Sequence, residues 1–298
     1  MTYRNPSSNV SSFLGAIERF VRTQEGRNRS PQTLRAYRSD LIQLSTWLQA
    51  ENPLLTDPAD VTTDDLNEFL AHLAREGLSG VSRARKLAAI REFFRYLKIA
   101  GAIEDSPVEG VDTPKRERKS RNFLTPEEYN RLLAAAGGHP RDFCILTLFL
   151  QTGIRISELC ELRLGDIDLE VGTLTVRVGK GMAARTIELE KKGTRSLKTW
   201  LSLRETSPYD HLFLNRDGEP LKEWGVRDML EKYCRMAAIT KRVTPHSLRH
   251  TFASYKAQSG VSPYQLKEWM GHARLDTTAI YVHLARQSGK KVMEATSL

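Results

Sequence analysis

Residues 112–121 read Asp-Thr-Pro-Lys-Arg-Glu-Arg-Lys-Ser-Arg, and this stretch divides the chain. It holds a proline and five basic residues but no large apolar residue. Because such a segment has nothing to bury, it predicts an exposed linker between two folded parts. A chain of 298 residues is also long enough for about two domains. We therefore assign residues 1–111 to a first domain, 112–122 to the linker and 123–298 to a second domain.

On the N-terminal side of the linker, apolar residues recur at the spacing of helices that share one core. Serine or threonine stands before several of these segments, as is typical of helix N-caps. Gly77 and Gly101 follow the third and fourth segments and predict where they end. The first domain is therefore predicted to be a four-helix unit. Its helices are predicted to start near Val10, at Ser30-Pro31, at Thr62 or Thr63, and at Ser79 or Ser82.

On the C-terminal side, a capping box at Thr125 opens the second domain. The almost unbroken apolar stretch Asp142–Leu150 predicts a buried helix that stops at Gly153. Helices are predicted to return from about Lys222. Two later serine-proline or threonine-proline pairs predict further helix starts, Thr244-Pro245 and Ser262-Pro263.

Between these helical parts the hydrophobic period changes to two. Apolar and polar residues alternate over 173–178 and again over 187–190, which predicts a β-hairpin with its tip at 179–182. The predicted fold class is therefore mainly α, with a small antiparallel β-sheet in the C-terminal domain.

The charge of the chain favours a polyanionic partner, since the net charge is +9 and the pI is near 9.5. Within the first domain, residues 51–76 carry seven acidic residues and one basic residue, whereas residues 79–100 carry six basic residues and one acidic residue. This separation fits either one basic face or an ordinary solvated pair of helices. The basic linker likewise fits either a solvated tether or a connector along DNA phosphates.

The chain's three cysteines, Cys144, Cys160 and Cys234, lie in apolar or helical surroundings without metal-ligand spacing. They are predicted to be buried free thiols in a reducing cytoplasm. No apolar run approaches the ~20 residues of a membrane span, and the N-terminus lacks a signal-peptide pattern. We therefore expect a cytoplasmic, nucleoid-associated protein without a membrane partner.

Four short motifs in the second domain carry the candidate chemistry. Arginine forks match phosphate oxygens, imidazoles exchange protons, and a phenol is a potential nucleophile, so their combination suits covalent attack on a phosphodiester. His246 and Arg249 are three residues apart and are expected to share a helix face. The motifs are Thr-Gly-Ile-Arg-Ile-Ser-Glu-Leu (152–159), His-Ser-Leu-Arg-His (246–250), Gly-His-Ala-Arg (271–274) and Thr-Ala-Ile-Tyr (278–281).

Together and in this order, the motifs resemble those of the tyrosine recombinases, the phage integrase family, and especially its compact Xer-type members. The resemblance spans the chain and is most specific over 150–160 and 243–283. It implies a helical SAM-like core-binding domain followed by an α+β catalytic domain, which together form a C-shaped clamp on DNA. It also implies that the chain begins with the core-binding helices, without an additional arm-binding domain.

The resemblance implies a set of roles. Tyr281 is the nucleophile by its spacing from His272, which the nearby Tyr255 and Tyr264 lack. Lys180, in the glycine-flanked hairpin tip, is the general acid, although Arg185 is an alternative register. Glu158 has a supporting, orienting role. The implied catalytic residues are Arg155, Lys180, His246, Arg249, His272 and Tyr281.

In this family the tyrosine forms a 3′-phosphotyrosyl link and releases a 5′ hydroxyl, so rejoining needs neither ATP nor a metal ion. Consistent with this, the sequence contains no Walker A loop, no dinucleotide fingerprint and no two-metal carboxylate cluster. We therefore expect no cofactor. The expected partner is double-stranded DNA with an inverted-repeat core site. Four protomers, identical or shared with a paralogue, are expected to exchange strands through a Holliday junction.

Several alternatives stay open at this point. Relaxation of DNA by a type IB topoisomerase would use similar chemistry, and a catalytically silent DNA-binding protein would share the fold. The biological role fits chromosome-dimer resolution as well as a mobile element. Residues 285–298 fit either a tail that packs on a neighbouring protomer or a frayed end. The candidate DNA-binding residues are Arg83, Arg85, Arg91, Arg95, Lys115, Arg116, Arg118 and Lys119.

Overall fold

The computed structural model of the chain describes residues 13–115, 123–177 and 184–271. It separates the chain into two compact units, Met1–Lys119 and Ser120–Leu298, each with its own apolar core. The division falls within the predicted linker 112–122; the domain bounds assigned from the sequence stay a prediction.

The described part of the N-terminal unit is helical, as predicted. Ser30, Thr62 and Ser79 each cap a helix, since each side chain accepts a hydrogen bond from a backbone N–H three residues later. These contacts settle the two open starts in favour of Thr62 and Ser79. The predicted first residues of the first helix, from Val10, lie partly outside the described residues. The helices are α1 (Phe13–Gly26), α2 (Pro31–Glu51), α3 (Thr63–Arg75) and α4 (Gly80–Ile99).

Aromatic rings fill the centre of this unit. Phe13 stacks on Phe93 with ring centroids 5.9 Å apart, and Phe20 meets Phe93 edge-on at 5.6 Å. All three rings are fully buried. Since such rings contribute large apolar areas and prefer offset or edge-on contacts, this cluster explains how a unit of about 100 residues maintains a core.

The C-terminal unit is mostly helical around one small sheet. Thr125, Thr244 and Ser262 cap helices as predicted, and the buried helix α6 ends at Gly153. The helices are α5 (Pro126–Ala135), α6 (Pro140–Thr152), α7 (Ile156–Cys160), α8 (Lys191–Leu203), α9 (Glu223–Met236), α10 (Pro245–Gln258) and α11 (Pro263–Met270). The strands are β1 (Ile167–Asp168), β2 (Thr173–Val176) and β3 (Arg185–Glu188).

The three strands form one antiparallel sheet in the order β1-β2-β3. The β2–β3 pairing, from Thr173 opposite Glu188 to Val176 opposite Arg185, confirms the predicted hairpin. Its predicted tip at 179–182 lies outside the described residues. Strand β1 was not predicted, because two residues are too few to show a period.

The expectation that helices return only from Lys222 is wrong, because α8 packs against α6 from Lys191 onward. Its sequence contains Gly193, which lowers helix propensity, and few large apolar residues. Leu197 and the partly buried Trp200 supply its packing face. Together with Leu201 they recur at helical spacing, so the sequence itself contains the amphipathic signal for α8.

The three cysteines are buried free thiols, as predicted. Burial raises the pKa of Cys144 and of Cys160 to about 12, and that of Cys234 to about 11. Among the described residues no helix is long and apolar enough to cross a membrane. In the same ranges, no group of three or more histidine, cysteine, aspartate or glutamate residues is placed to hold a metal ion.

Candidate active site

Arg155 stands at a sharp change of chain direction between two helices. Gly153 ends α6 with φ +61°, and a Cβ atom there would lie 2.4 Å from the ring of Phe252. Only glycine fits this left-handed conformation and this close approach. Arg155 then occupies the N-cap position of α7. The turn therefore fixes the backbone position from which the Arg155 side chain extends.

Glu158 binds Arg155 from the first turn of the same helix. The Arg155 backbone N–H donates to the Glu158 carboxylate at 2.8 Å, and Nη1 of Arg155 donates to it at 2.7 Å. A carboxylate in the first turn of a helix is also favoured by the helix dipole. The side chain and the backbone of Arg155 are therefore both held by Glu158 within one turn of the chain.

Arg185, the first residue of β3, binds the same carboxylate. Nη1 and Nη2 of Arg185 donate to the two oxygens of Glu158 at 3.0 and 2.7 Å. Burial alone would raise the pKa of Glu158, but hydrogen bonds from Arg185 and from the Arg155 backbone outweigh it and lower the pKa to about 2. The carboxylate is therefore ionised at any physiological pH.

Arg249 lies on α10, and only 3% of its surface is exposed. Its Nη1 donates to the carbonyl oxygen of Gly153 at 2.6 Å. His246 lies one turn earlier on the same helix, as predicted, but it is exposed whereas Arg249 is buried. The His246 ring meets the ring of His250 edge-on, with centroids 4.3 Å apart. One helix thus presents a buried guanidinium and an exposed imidazole.

Three arginines meet at the C-terminal end of α11. The last carbonyls of a helix have no partner within the helix and carry its negative dipole end, so cations are stabilised there. Arg185 Nε donates to the carbonyl of Trp269 at 2.8 Å, Arg249 Nη2 donates to that of Met270, and Arg155 Nη2 donates to that of Gly271 at 2.7 Å. We call these three arginines together with Glu158 the arginine cluster.

The arginine cluster holds three guanidinium groups and one carboxylate, a formal excess of two positive charges. The members differ in access to solvent: the side chain of Arg155 is 36% exposed, whereas those of Arg185 and Glu158 are each 9% exposed. An anion approaching from solvent would therefore meet Arg155 first. Two of its five N–H donors are engaged in the side-chain bonds described above.

Of the predicted catalytic residues, the structure describes Arg155, His246 and Arg249, together with the supporting Glu158. It brings Arg155, Arg249 and Glu158 into one cluster. The others lie outside the described residues, namely Lys180, His272 and Tyr281. Gly271 is the last described residue before His272.

The candidate DNA-binding arginines of α4 have different partners within their own unit. Arg85 pairs with the buried Asp40, with Nη2 2.8 Å from its carboxylate. Arg91 donates to the carbonyl of Val111 at 2.7 Å, and Arg95 pairs with Glu92 on the same helix. Arg83 and Lys115 also lie within the described residues, whereas Arg116, Arg118 and Lys119 lie outside them. The DNA-binding role of all eight stays a prediction.

Arg185 was missed as a site residue, since the sequence offered it only as another register for Lys180. A signal was present in the alternation of β3: Arg185 shares its strand face with Ile187, which is buried. An arginine at an inward-facing strand position needs a buried acceptor. The sequence does not identify that acceptor, which is Glu158, 27 residues away.

Two family profiles match the chain. The profile described as "Phage integrase family" covers residues 122–288, and that described as "Phage integrase, N-terminal SAM-like domain" covers residues 17–101. Together they cover most of the chain, and their order is that of the two units.

Curated relatives match over almost the full length. A "Tyrosine recombinase" of Pseudothermotoga lettingae is 34% identical over 265 residues, which are 88% of this chain and 90% of that protein. "Tyrosine recombinase XerC" of Thermodesulfovibrio yellowstonii is 33% identical over 289 residues, 93% of each protein. "Tyrosine recombinase XerD" of Listeria innocua is 32% identical over 273 residues, 88% of this chain and 91% of that protein.

Solved structures share the fold. The XerA recombinase is 26% identical, with a TM-score of 0.56 over 95% of this chain and 98% of that chain. The XerH site-specific recombinase, solved in a post-cleavage complex with its palindromic difH substrate, is 22% identical, with a TM-score of 0.78 over 99% of each chain. At that identity the second likeness is one of fold alone.

Proposed function

This chain belongs to the phage integrase family of tyrosine recombinases, and we propose that its arginine cluster binds the scissile phosphate of a DNA strand. As a member of this family it is a DNA strand-transferring enzyme of site-specific recombination. Topoisomerase activity and silent DNA binding are not favoured. The observation that carries our proposal is that Arg155, paired with the ionised Glu158, and Arg249 converge on neighbouring carbonyls at the end of α11.

Arg155 and Arg249 are proposed to neutralise the non-bridging oxygens of the phosphate. A phosphodiester carries one negative charge, and the transition state for attack at phosphorus gathers more charge on those oxygens. The excess of two positive charges in the cluster matches that developing charge. Because the arginines are already held by carbonyls and a carboxylate, little reorganisation is needed when substrate arrives.

Glu158 is proposed to orient Arg155 rather than to touch DNA. Its carboxylate is nearly enclosed and is engaged by two guanidinium groups and one backbone N–H. A group placed in this way fixes the direction of an arginine fork, and it stays ionised because its pKa is lowered to about 2.

The covalent step is proposed to use Tyr281 as the nucleophile. Its phenolic oxygen forms a bond to phosphorus while the bond from phosphorus to the 5′ oxygen breaks, and Lys180 supplies the proton to that leaving oxygen. His246 and His272 are proposed to hydrogen-bond the phosphate and to assist proton movement at the tyrosine. Attack by a 5′ hydroxyl on the phosphotyrosyl ester reverses the step, so the bond energy is kept without ATP or metal.

The assembly and setting of the enzyme are also proposals. The relatives' solved complexes contain recombinase on DNA, among them XerH on a palindromic substrate. For this chain we propose two protomers on an inverted-repeat site and four in the synapse, identical or shared with a paralogue. Strand exchange would pass through a Holliday junction in the cytoplasm, at the nucleoid.

The proposal is tested with a synthetic DNA site that carries a nick, so that cleavage releases a short fragment and traps the covalent complex. The site is first found by sequencing protein-linked ends from source-genome DNA. Protein-linked DNA is expected for the wild type, and Tyr281→Phe is expected to lose all of it while still binding the site. Tyr264→Phe is the matched control, because Tyr264 is an exposed tyrosine in the same unit.

Discrete 3′-linked ends within an inverted repeat would support the proposal. Linked DNA that persists in Tyr281→Phe would show that the nucleophile is another residue. Ends scattered without site preference would contradict the site-specific assembly.

The DNA-binding set needs its own test, because Arg85 and Arg91 already have partners within the N-terminal unit. Arg95→Ala is expected to weaken site binding and to lower the slope of log affinity against log salt by about one. Glu92→Ala is the matched control, because it removes the same ion pair without removing a positive charge. An unchanged slope in Arg95→Ala would remove Arg95 from the set.

A further inference from the structure

We propose that Arg185 is a positioning residue of the strand-transfer reaction, which holds Glu158 and the end of α11 so that Arg155 points at the phosphate. The inference rests on the phosphate-binding role proposed for Arg155. The family resemblance offers Arg185 only as another register for Lys180, and no positioning role is assigned to it.

The first support is that all three nitrogens of the Arg185 guanidinium are engaged. Nη1 and Nη2 bind the two oxygens of Glu158, and Nε donates to the carbonyl of Trp269. A planar fork that pairs with both oxygens of a carboxylate fixes the orientation of that carboxylate. Glu158 in turn accepts from Nη1 of Arg155. The orientation of Arg155 therefore depends on Arg185 through one intermediate side chain.

The second support is the difference in exposure between the two arginines on Glu158. The Arg155 side chain is 36% exposed and reaches solvent, whereas the Arg185 side chain is 9% exposed. Both Nη atoms of Arg185 are paired with the Glu158 carboxylate, so the charge of this guanidinium is balanced within the protein and is not offered to a DNA strand. Arg185 is therefore placed to act through Glu158 and α11.

The third support is the shape of the backbone at Gly271. This glycine has φ +58°, and a Cβ atom there would lie 2.8 Å from Nη1 of Arg185 and 3.5 Å from Nη1 of Arg155. The two guanidinium groups thus pack directly against the last turn of α11. Because Arg185 is the first residue of β3, its contacts tie the sheet to α7 and α11 at one point.

The test compares Arg185→Lys and Arg185→Gln with Arg177→Lys and Arg177→Gln. Arg177 is a suitable control because it follows β2, the neighbouring strand, and pairs with the buried Asp166 at 2.6 Å, outside the arginine cluster. The first measurement is the single-turnover rate of covalent-complex formation on nicked DNA at saturating protein. The second is hydrogen exchange of the peptide that covers α11, in protein without DNA.

The expected result is a cleavage rate roughly 10–100-fold lower in both Arg185 variants, with DNA affinity within a few fold of the wild type. Lysine should restore little, because a single ammonium cannot replace the fork. Arg185→Gln combined with Glu158→Gln should cleave no more slowly than the slower single variant, because both changes break one chain of contacts. The α11 peptide should exchange faster in both Arg185 variants and not in either Arg177 variant.

Cleavage by Arg185→Lys at the wild-type rate would overturn the proposal. A double variant whose loss of cleavage rate equals the product of the two single losses would overturn it as well. A slower rate without any change in α11 exchange or in coupling to Glu158 would also overturn it. Failure of the proposed function looks different, since the wild type itself would then form no Tyr281-dependent complex, whereas the exchange measurement would still report the contact.

Discussion

Each unit of the chain contains a buried carboxylate held by two cationic side chains, and the two sites differ in what the cations do next. In the N-terminal unit, Asp40 on α2 is only 2% exposed and binds Arg85 and Lys86 of α4. In the C-terminal unit, Glu158 binds Arg155 and Arg185.

At Asp40 the contacts join two helices. Arg85 and Lys86 are adjacent residues of one helix, and Lys86 also binds Gln43 on the opposite helix at 2.6 Å. At Glu158 the cations come from separate parts of the chain, and each continues to a carbonyl at the end of α11. The Asp40 site connects α2 to α4. The Glu158 site holds arginines around a position where an anion is expected to bind.

This comparison shows that a buried ion pair alone does not distinguish structure from function. The free energy needed to remove two charges from water often exceeds the free energy gained from their attraction. A buried ion pair is therefore weak evidence for a stabilising role. The distinction lies in the further partners: Arg85, whose side chain is 53% exposed, donates to Asp40, whereas Arg155 donates to Glu158 and also to the carbonyl of Gly271, where the other arginines of the cluster converge.

The largest effect is expected from Arg249→Lys. The change removes the fork that binds Gly153 and Met270 and displaces the buried charge, so covalent-complex formation on nicked DNA should fall about 10²–10³-fold. Lys86→Arg is the counterpart in the N-terminal unit, because Lys86 is the less exposed cation on Asp40, and it should leave the cleavage rate at saturating DNA unchanged. Equal losses of cleavage rate in both variants would show that the two sites do not differ in function.

The next largest effect is expected from Glu158→Gln, and Asp40→Asn provides the comparison in the N-terminal unit. Glu158→Gln should reduce the cleavage rate about 10–100-fold, because Arg155 loses its charged partner. Asp40→Asn should mainly lower the free energy of unfolding of the N-terminal unit, because two cations lose their buried partner. Urea unfolding and single-turnover cleavage, measured on both variants, provide the comparison. A cleavage defect in Asp40→Asn at saturating DNA would be inconsistent with a purely structural joint.

The next prediction concerns the free energy of unfolding and compares two glycines with positive φ, Gly153 in the C-terminal unit and Gly101 in the N-terminal unit. Gly153→Ala should lower the free energy of unfolding by about 1–3 kcal/mol from overpacking, in addition to backbone strain, because its Cβ atom would meet Phe252 at 2.4 Å. Gly101→Ala should show only the strain of about 1–2 kcal/mol, because no atom lies within 4 Å of the new Cβ. Thermal melts of the two variants test this order, and a less stable Gly101→Ala would contradict it.

The smallest effect is a pH dependence at Glu158. Its folded-state pKa of about 2 lies below the ordinary value of 4.5, so ionised Glu158 stabilises the fold above pH 4.5, and this stabilisation is lost as the pH falls toward 2. The stability difference between the wild type and Glu158→Gln should therefore be constant from pH 7 to about 5 and narrow below that. Urea unfolding of both proteins at several pH values measures it.

Much of the fold was predictable because its signals are local. The caps at Ser30, Thr125 and Ser262 follow from side chains that bind backbone groups three residues away. The hairpin follows from alternation along two strands. Helix α8 was also predictable, because Leu197, Trp200 and Leu201 recur at helical spacing and pack on the core, although Gly193 lowers the helix propensity of the segment.

The amino-acid sequence was sufficient to identify the chemical groups and their local placement. It placed Arg155 beside Glu158 and put His246 and Arg249 on one helix, because three-residue spacing brings side chains together in any helix. The motif set also pointed to the family that the profiles and relatives establish.

Which of these groups converge depends on the packing of the folded chain. The bond from Arg155 to Gly271 spans 116 residues, and that from Arg249 to Gly153 spans 96. Such contacts depend on how helices and sheet pack rather than on any local pattern. Arg185 became visible as a partner of Glu158 and α11 only there, because a buried guanidinium must find acceptors wherever the packing places them.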